Sequence, residues 1–122
     1  MAHIINLETH VDERGKLIVV EKVLPFEIKR VYFIYDVKNA KRGFHRHKKT
    51  IQGAIAINGS CRFVIQSCKN NSKEYFYLNS PSMCLILWPE DFHWIEDFSH
   101  DCILLVLASE YYDINDYVFE PT

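Results

Sequence analysis

Short runs of β-branched and aromatic residues, each closed by turn residues, recur along almost the whole chain. No stretch carries an apolar stripe of helical period long enough to compete with them, which restricts the fold to an all-β one. The runs are residues 17–21, 29–36, 52–57, 61–66, 74–78, 83–88, 92–96 and 102–108. Asp12-Glu13-Arg14-Gly15 turns into the first, and Asn39 and Lys41 end the second. Asn58-Gly59-Ser60 separates the third run from the fourth, and an Asn-Gly pair supplies the positive φ angles of a tight turn, so these two runs are expected to form a hairpin. Asn79-Ser80-Pro81, Pro89-Glu90-Asp91 and Ser99-His100-Asp101 mark later turns, and Asp113 offers a cap for a helical turn in the tail. About nine strands at this spacing fit either a β-sandwich or a jelly-roll barrel.

The 122 residues, 48% of them hydrophobic, suffice for one core, so a single domain spanning residues 1–122 is expected. Fourteen Lys and Arg against sixteen Asp and Glu leave a formal charge of −2, which attracts neither nucleic acid nor a membrane surface. No apolar run approaches the roughly 20 residues that cross a bilayer. The start, Met1-Ala2-His3-Ile4-Ile5-Asn6, has neither the charged nor the apolar region of a signal peptide, so a soluble cytoplasmic protein is expected. Cys61, Cys68, Cys84 and Cys102 lie singly inside apolar runs, without CxxC spacing, and read as reduced core residues.

Arg42-Gly43-Phe44-His45-Arg46-His47-Lys48-Lys49 is the most unusual segment, with two histidines and four cations ahead of a strongly apolar stretch. In an extended chain side chains two apart share a face, so His45 and His47 project into one space. A basic loop with surface histidines is the plainer alternative. Gln52, Ala54 and Ala56 alternate against Ile51, Ile55 and Ile57, leaving one roomy face of the kind that a ligand-lined lumen requires.

Gly43, His45, His47, Gln52 and Gly59 resemble the first motif of the cupin superfamily, and Pro89 with His93 resembles its second. In metal-dependent cupins the two histidines, a Glu and the later His hold a divalent ion. Here the Glu position is taken by Gln52, a poor ligand, so no metal or other cofactor is expected. A closer resemblance covers residues 12–117 in order: Asp12 to Leu17, Arg30 to Val37, Arg42 to Lys48, Gly59-Ser60-Cys61, His93 with Asp97-Phe98-Ser99, Leu105 to Ser109, Tyr111-Tyr112-Asp113 and Asp116-Tyr117. Together these are similar to the nucleotide-sugar 3,4-ketoisomerases, small cupins acting on dTDP-4-keto-6-deoxyglucose.

The resemblance implies a cupin jelly-roll β-barrel working as a strand-swapped homodimer. It also implies movement of a keto group from C4 to C3 of a dTDP-linked 6-deoxyhexose, supplying 3-amino-3,6-dideoxysugars for surface polysaccharide. Such a shift removes the C3 proton, passes through an enediol and returns a proton at C4, which suits a base titrating near pH 6.5. On this reading His47 is the base at C3, His45 the second acid or base or the residue that orients the first, and Tyr35 faces the sugar. Arg42, Arg14 and Arg30 are candidates for the diphosphate, since guanidinium groups bind phosphate oxygens in pairs. Pairing with Asp12, Glu13 or Asp36 is their structural alternative. Gln52 and His93 would line the same cavity, and a core His93 bonded to backbone is the alternative there. A nucleotide-sugar 3,5-epimerase, a metal-dependent cupin and a non-catalytic sugar-nucleotide-binding module remain open at this point.

Overall fold

The computed structural model describes residues 1–67 and 69–122. Among these described residues twelve strands follow one another: β1 (His3–Asn6), β2 (Glu8–Asp12), β3 (Gly15–Val19), β4 (Arg30–Tyr35), β5 (Arg42–His47), β6 (Gln52–Asn58), β7 (Cys61–Gln66), β8 (Lys73–Leu78), β9 (Met83–Leu87), β10 (Phe92–Glu96), β11 (Ile103–Ala108) and β12 (Tyr117–Val118). A 3-10 turn at Ile114–Asp116 precedes β12, and the Asp113 side chain accepts from the Asn115 N–H as its cap. Among the described residues no helix is long and apolar enough to cross a membrane.

Two five-stranded antiparallel sheets carry the fold, one in the order β1-β9-β6-β11-β4 and the other β12-β5-β10-β7-β8. They face each other without joining, so the barrel expected from the sequence is an open sandwich of two sheets. The alternation of each strand places Leu85, Leu104, Ala54, Phe63, Leu78 and Ile95 between them as the core. A second apolar cluster lies on the outer face of the first sheet, where Ile55, Cys84, Ile86 and Leu107 are covered by Val20, Leu24 and Phe26 from the segment after β3.

The hairpin expected across Asn58-Gly59-Ser60 is corrected. β6 belongs to the first sheet and β7 to the second, and the two do not pair. A two-residue hairpin of the favoured kind needs positive φ at both central residues. Here only Gly59 has it, at +67°, and its backbone packs against Ser99, Asp101 and Cys102 as the chain crosses between layers. Asn58 and Ser60 are tied to the same loop, the first by its side-chain amide donating to the Asp101 carbonyl and the second by its N–H donating to Ser99 Oγ.

The β2–β3 pair forms no part of either sheet, and most of its residues are exposed. Cys61, Cys84 and Cys102 are buried free thiols. Burial pushes the Cys84 thiol up to about 11 and raises Cys61 as well, which keeps both protonated and inert. Cys68 lies outside the described residues.

Candidate active site

A cavity of about 560 Å³ opens between the two sheets. Its first wall is Tyr32 and Ile34 from β4 with Gln52 and Ala54 from β6, and its second is His45 from β5 with His93 from β10. Arg30 and Arg42 add positive charge, while Tyr112, Ile114, Tyr117 and Phe119 of the C-terminal segment form the rim. Arg30 lies over two of these rings, 5.3 Å from the centre of Tyr32 and 5.7 Å from that of Tyr112.

Three imidazoles meet at the second wall. The ring of His45 is 5.1 Å from that of His47 and 5.0 Å from that of His93. Burial and the neighbouring His47 hold His45 down at about 4, and burial together with His45 holds His93 down at about 3, so both are neutral near pH 7. His93 Nδ1 donates to the Asp91 carbonyl at 2.9 Å, which leaves its Nε2 as an acceptor. Among the described residues no three His, Cys, Asp or Glu side chains are grouped to hold a metal ion.

His47 is only 2% exposed and adds no surface to the cavity, although His45 and Tyr117, both lining it, pack against its ring. His47 Nδ1 donates to Asp116 Oδ2 at 2.9 Å. A carboxylate only accepts, so Nδ1 carries the proton and Nε2, buried with no partner, keeps its lone pair. Burial lowers the His47 pKa, against the opposing pull of Asp116. Asp116 itself is fixed by the Thr50 hydroxyl and by the N–H groups of Lys48 and Lys49, at 3.1 and 2.8 Å. Burial would raise its carboxyl, but these donors prevail and hold it below the usual carboxylate range.

The structure thus brings Arg30, Arg42, His45, Gln52 and His93 into one cavity with His47 behind them, and it leaves out two residues singled out in the sequence. Tyr35 is 64% exposed on the outer face of β4, because it lies an odd number of positions along the strand from the inward Arg30, Tyr32 and Ile34. Arg14 sits at the tip of the β2–β3 hairpin, its guanidinium paired with Asp12 at 2.7 Å, the structural alternative considered above. Tyr32 takes the place given to Tyr35. Its hydroxyl accepts from Gln52 Nε2 at 2.9 Å, keeps its own proton free to donate, and is pushed up to about 12 by burial. Gln52 Oε1 is buried without a partner. Besides Tyr32, Asp116 and the aromatic rim were missed. The alternation of Arg30, Tyr32 and Ile34 against Val31, Phe33 and Tyr35 was the signal for the first.

A family model described as WxcM-like, C-terminal (FdtA) matches residues 1–122. The TDP-4-oxo-6-deoxy-alpha-D-glucose-3,4-oxoisomerase of Aneurinibacillus thermoaerophilus is 44% identical over 118 residues, covering 94% of this chain and 84% of that protein. A solved variant of the 3,4-ketoisomerase from Thermoanaerobacterium thermosaccharolyticum, in complex with TDP-4-keto-6-deoxyglucose, superposes with a TM-score of 0.92 at 38% identity, over 98% of this chain and 87% of that one. The TDP-quinovose 3,4-ketoisomerase of Campylobacter jejuni superposes with a TM-score of 0.91 at 40% identity, over 98% and 92%. With a family model matched from end to end and relatives this close on both sequence and fold, the chain belongs to the WxcM-like, C-terminal (FdtA) family of sugar 3,4-ketoisomerases.

Proposed function

We propose that the chain moves the keto group of TDP-4-keto-6-deoxyglucose from C4 to C3 by proton transfers between imidazole and sugar. The observation that carries the mechanism is the Asp116–His47 pair behind the wall of His45 and His93, across the cavity from Tyr32. With Nδ1–H committed to a carboxylate, His47 offers Nε2 as the base that takes the C3 proton. The electron pair left at C3 forms the C3–C4 double bond, and charge gathers on O4. Tyr32, protonated and braced by Gln52, donates to that oxygen as the enediol forms. Return of a proton to C4 and loss of the O3 proton complete the exchange, with His45 as the second acid or base. For His47 to reach C3, the Tyr117 ring, 4.6 Å from it, shifts as the sugar enters.

The diphosphate falls to Arg42 and Arg30, the guanidinium groups of the cavity, in a chain whose net charge of −2 gives anions no general attraction. The test is to follow the sugar by NMR in deuterated water. Deuterium at the exchanging carbon and a 3-keto product are expected for the wild type, and neither for His47→Asn, which still binds thymidine diphosphate. Exchange at C5 instead would identify an epimerase, and nucleotide binding without exchange a binding module.

We further propose that the working form is a homodimer. Val31, Phe33 and Tyr35 stand 50%, 59% and 64% exposed on edge strand β4, and the β2–β3 hairpin pairs with neither sheet. Such an apolar sheet face is stable in water when a second copy covers it. Sedimentation at micromolar concentration is expected to give a dimer, and Phe33→Asp to give monomer; a wild-type monomer rejects the proposal.

A further inference from the structure

Strict alternation along β5 would put Gly43, His45 and His47 on the inner face and Arg42, Phe44 and Arg46 on the outer one. The observed pairing with β10 breaks that pattern. His45 lies opposite His93, but Gly43 lies opposite Trp94 and Arg42 opposite Ile95, so Phe44 has no partner and forms a one-residue bulge. Ile95 and His93 both point into the cavity, and the slip therefore turns Arg42 to the same side as His45.

Phe44 holds this bulge at φ +61°, a left-handed conformation that a bulky side chain adopts only when its surroundings enforce it. Its ring stacks on Trp94 at 5.3 Å and 11°. The indole is itself fixed, since Nε1 donates to Glu96 Oε1 at 2.9 Å, and Lys73 Nζ lies 5.5 Å from its ring centre. Gly43, at φ +105°, lets the strands close, because a Cβ there would meet the His93 carbonyl oxygen and the Trp94 Cα at 3.1 Å.

We propose that Phe44, on the outer face and away from the reacting atoms, is a positioning residue: its stack on Trp94 holds the bulge that turns Arg42 into the cavity, and so sets the affinity for the diphosphate. This rests on the reading of Arg42 as a diphosphate ligand. The experiment is a double-mutant cycle read by calorimetric titration with thymidine diphosphate and by steady-state turnover. Phe44→Ala is expected to weaken binding about tenfold, the scale of one charge-assisted contact, and to raise KM while kcat stays within about twofold. In the Arg42→Ala background the same change is expected to cost nothing further, and Phe44→Tyr to bind as the wild type does.

A loss from Phe44→Ala that persists at full size without Arg42 overturns the inference, and so does unchanged affinity in Phe44→Ala beside a weakened Arg42→Ala. An Arg42→Ala chain that binds as tightly as the wild type overturns the reading of Arg42, and this inference with it. Should the wild type not bind the nucleotide at all, both fall together with the proposed substrate. A melting curve of each variant separates lost binding from lost folding.

Discussion

Arg30, Tyr32 and Ile34 face the cavity while Val31, Phe33 and Tyr35 face out, so the more apolar side of β4 is the outer one. Tyr35 was singled out through the resemblance, and polarity gave no warning against it, because the apolar side of a strand is ordinarily the inner one. The shared direction of His45 and His47 was legible, since residues two apart need no tertiary information to share a face. Asp116 was not, because its meaning lies in a contact 69 residues away in sequence. Its effect is open to measurement. Asp116 raises the His47 pKa against burial, so Asp116→Asn lets that pKa fall further. The imidazole is then neutral to lower pH, and the acid limb of kcat/KM is expected to move down. At the plateau kcat is expected to drop on the order of a hundredfold, as the weaker base also loses the group that fixed its tautomer. A purely structural role for Asp116 would lower stability and leave the position of the acid limb unchanged.

At the scale of elements, most strands were visible because each is a run of β-branched and aromatic residues between turns. β5 was recognised by its histidines, whereas its bulge was invisible, since no single residue type announces a left-handed Phe44. Asn58-Gly59 misled for a related reason: the pair reports that a turn is there, and the partners of the flanking strands are chosen by packing between layers. Gly43 is the residue on which the β5–β10 junction depends. Gly43→Ala adds a Cβ to a backbone at φ +105° and presses it on the His93 carbonyl oxygen and the Trp94 Cα. Neither backbone atom can yield without moving β10. The expected cost is about 1–3 kcal/mol, read as a lower urea midpoint at fixed protein concentration. A midpoint equal to the wild type's would mean that the bulge relaxes freely, and Arg42 would then owe its place to something else.

For the molecule as a whole, the two sheets enclose an apolar core at one part of their interface and three imidazoles at another. The open sandwich was only partly legible, because strand count and spacing do not separate closed from open arrangements of the same sheets. Housing neutral histidines between sheets carries a stability consequence with a definite sign. His93 is held at about 3 in the folded chain against 6.5 for a free imidazole. Between those values the unfolded chain binds a proton that the folded chain refuses, so the contribution is complete above pH 6.5 and is lost as the pH falls. At pH 5 the loss from His93 alone is about 2 kcal/mol, with 1.36 kcal/mol for each pH unit below the free value. His45, held at about 4, acts in the same direction, and the two are coupled, so their losses do not simply add. His93→Gln is therefore expected to unfold less readily than the wild type on going from pH 7 to pH 5, with a flatter dependence of the urea midpoint on pH. Equal slopes for the two chains would show that His93 takes up its proton in the folded state, and that water reaches the imidazole cluster within the sandwich.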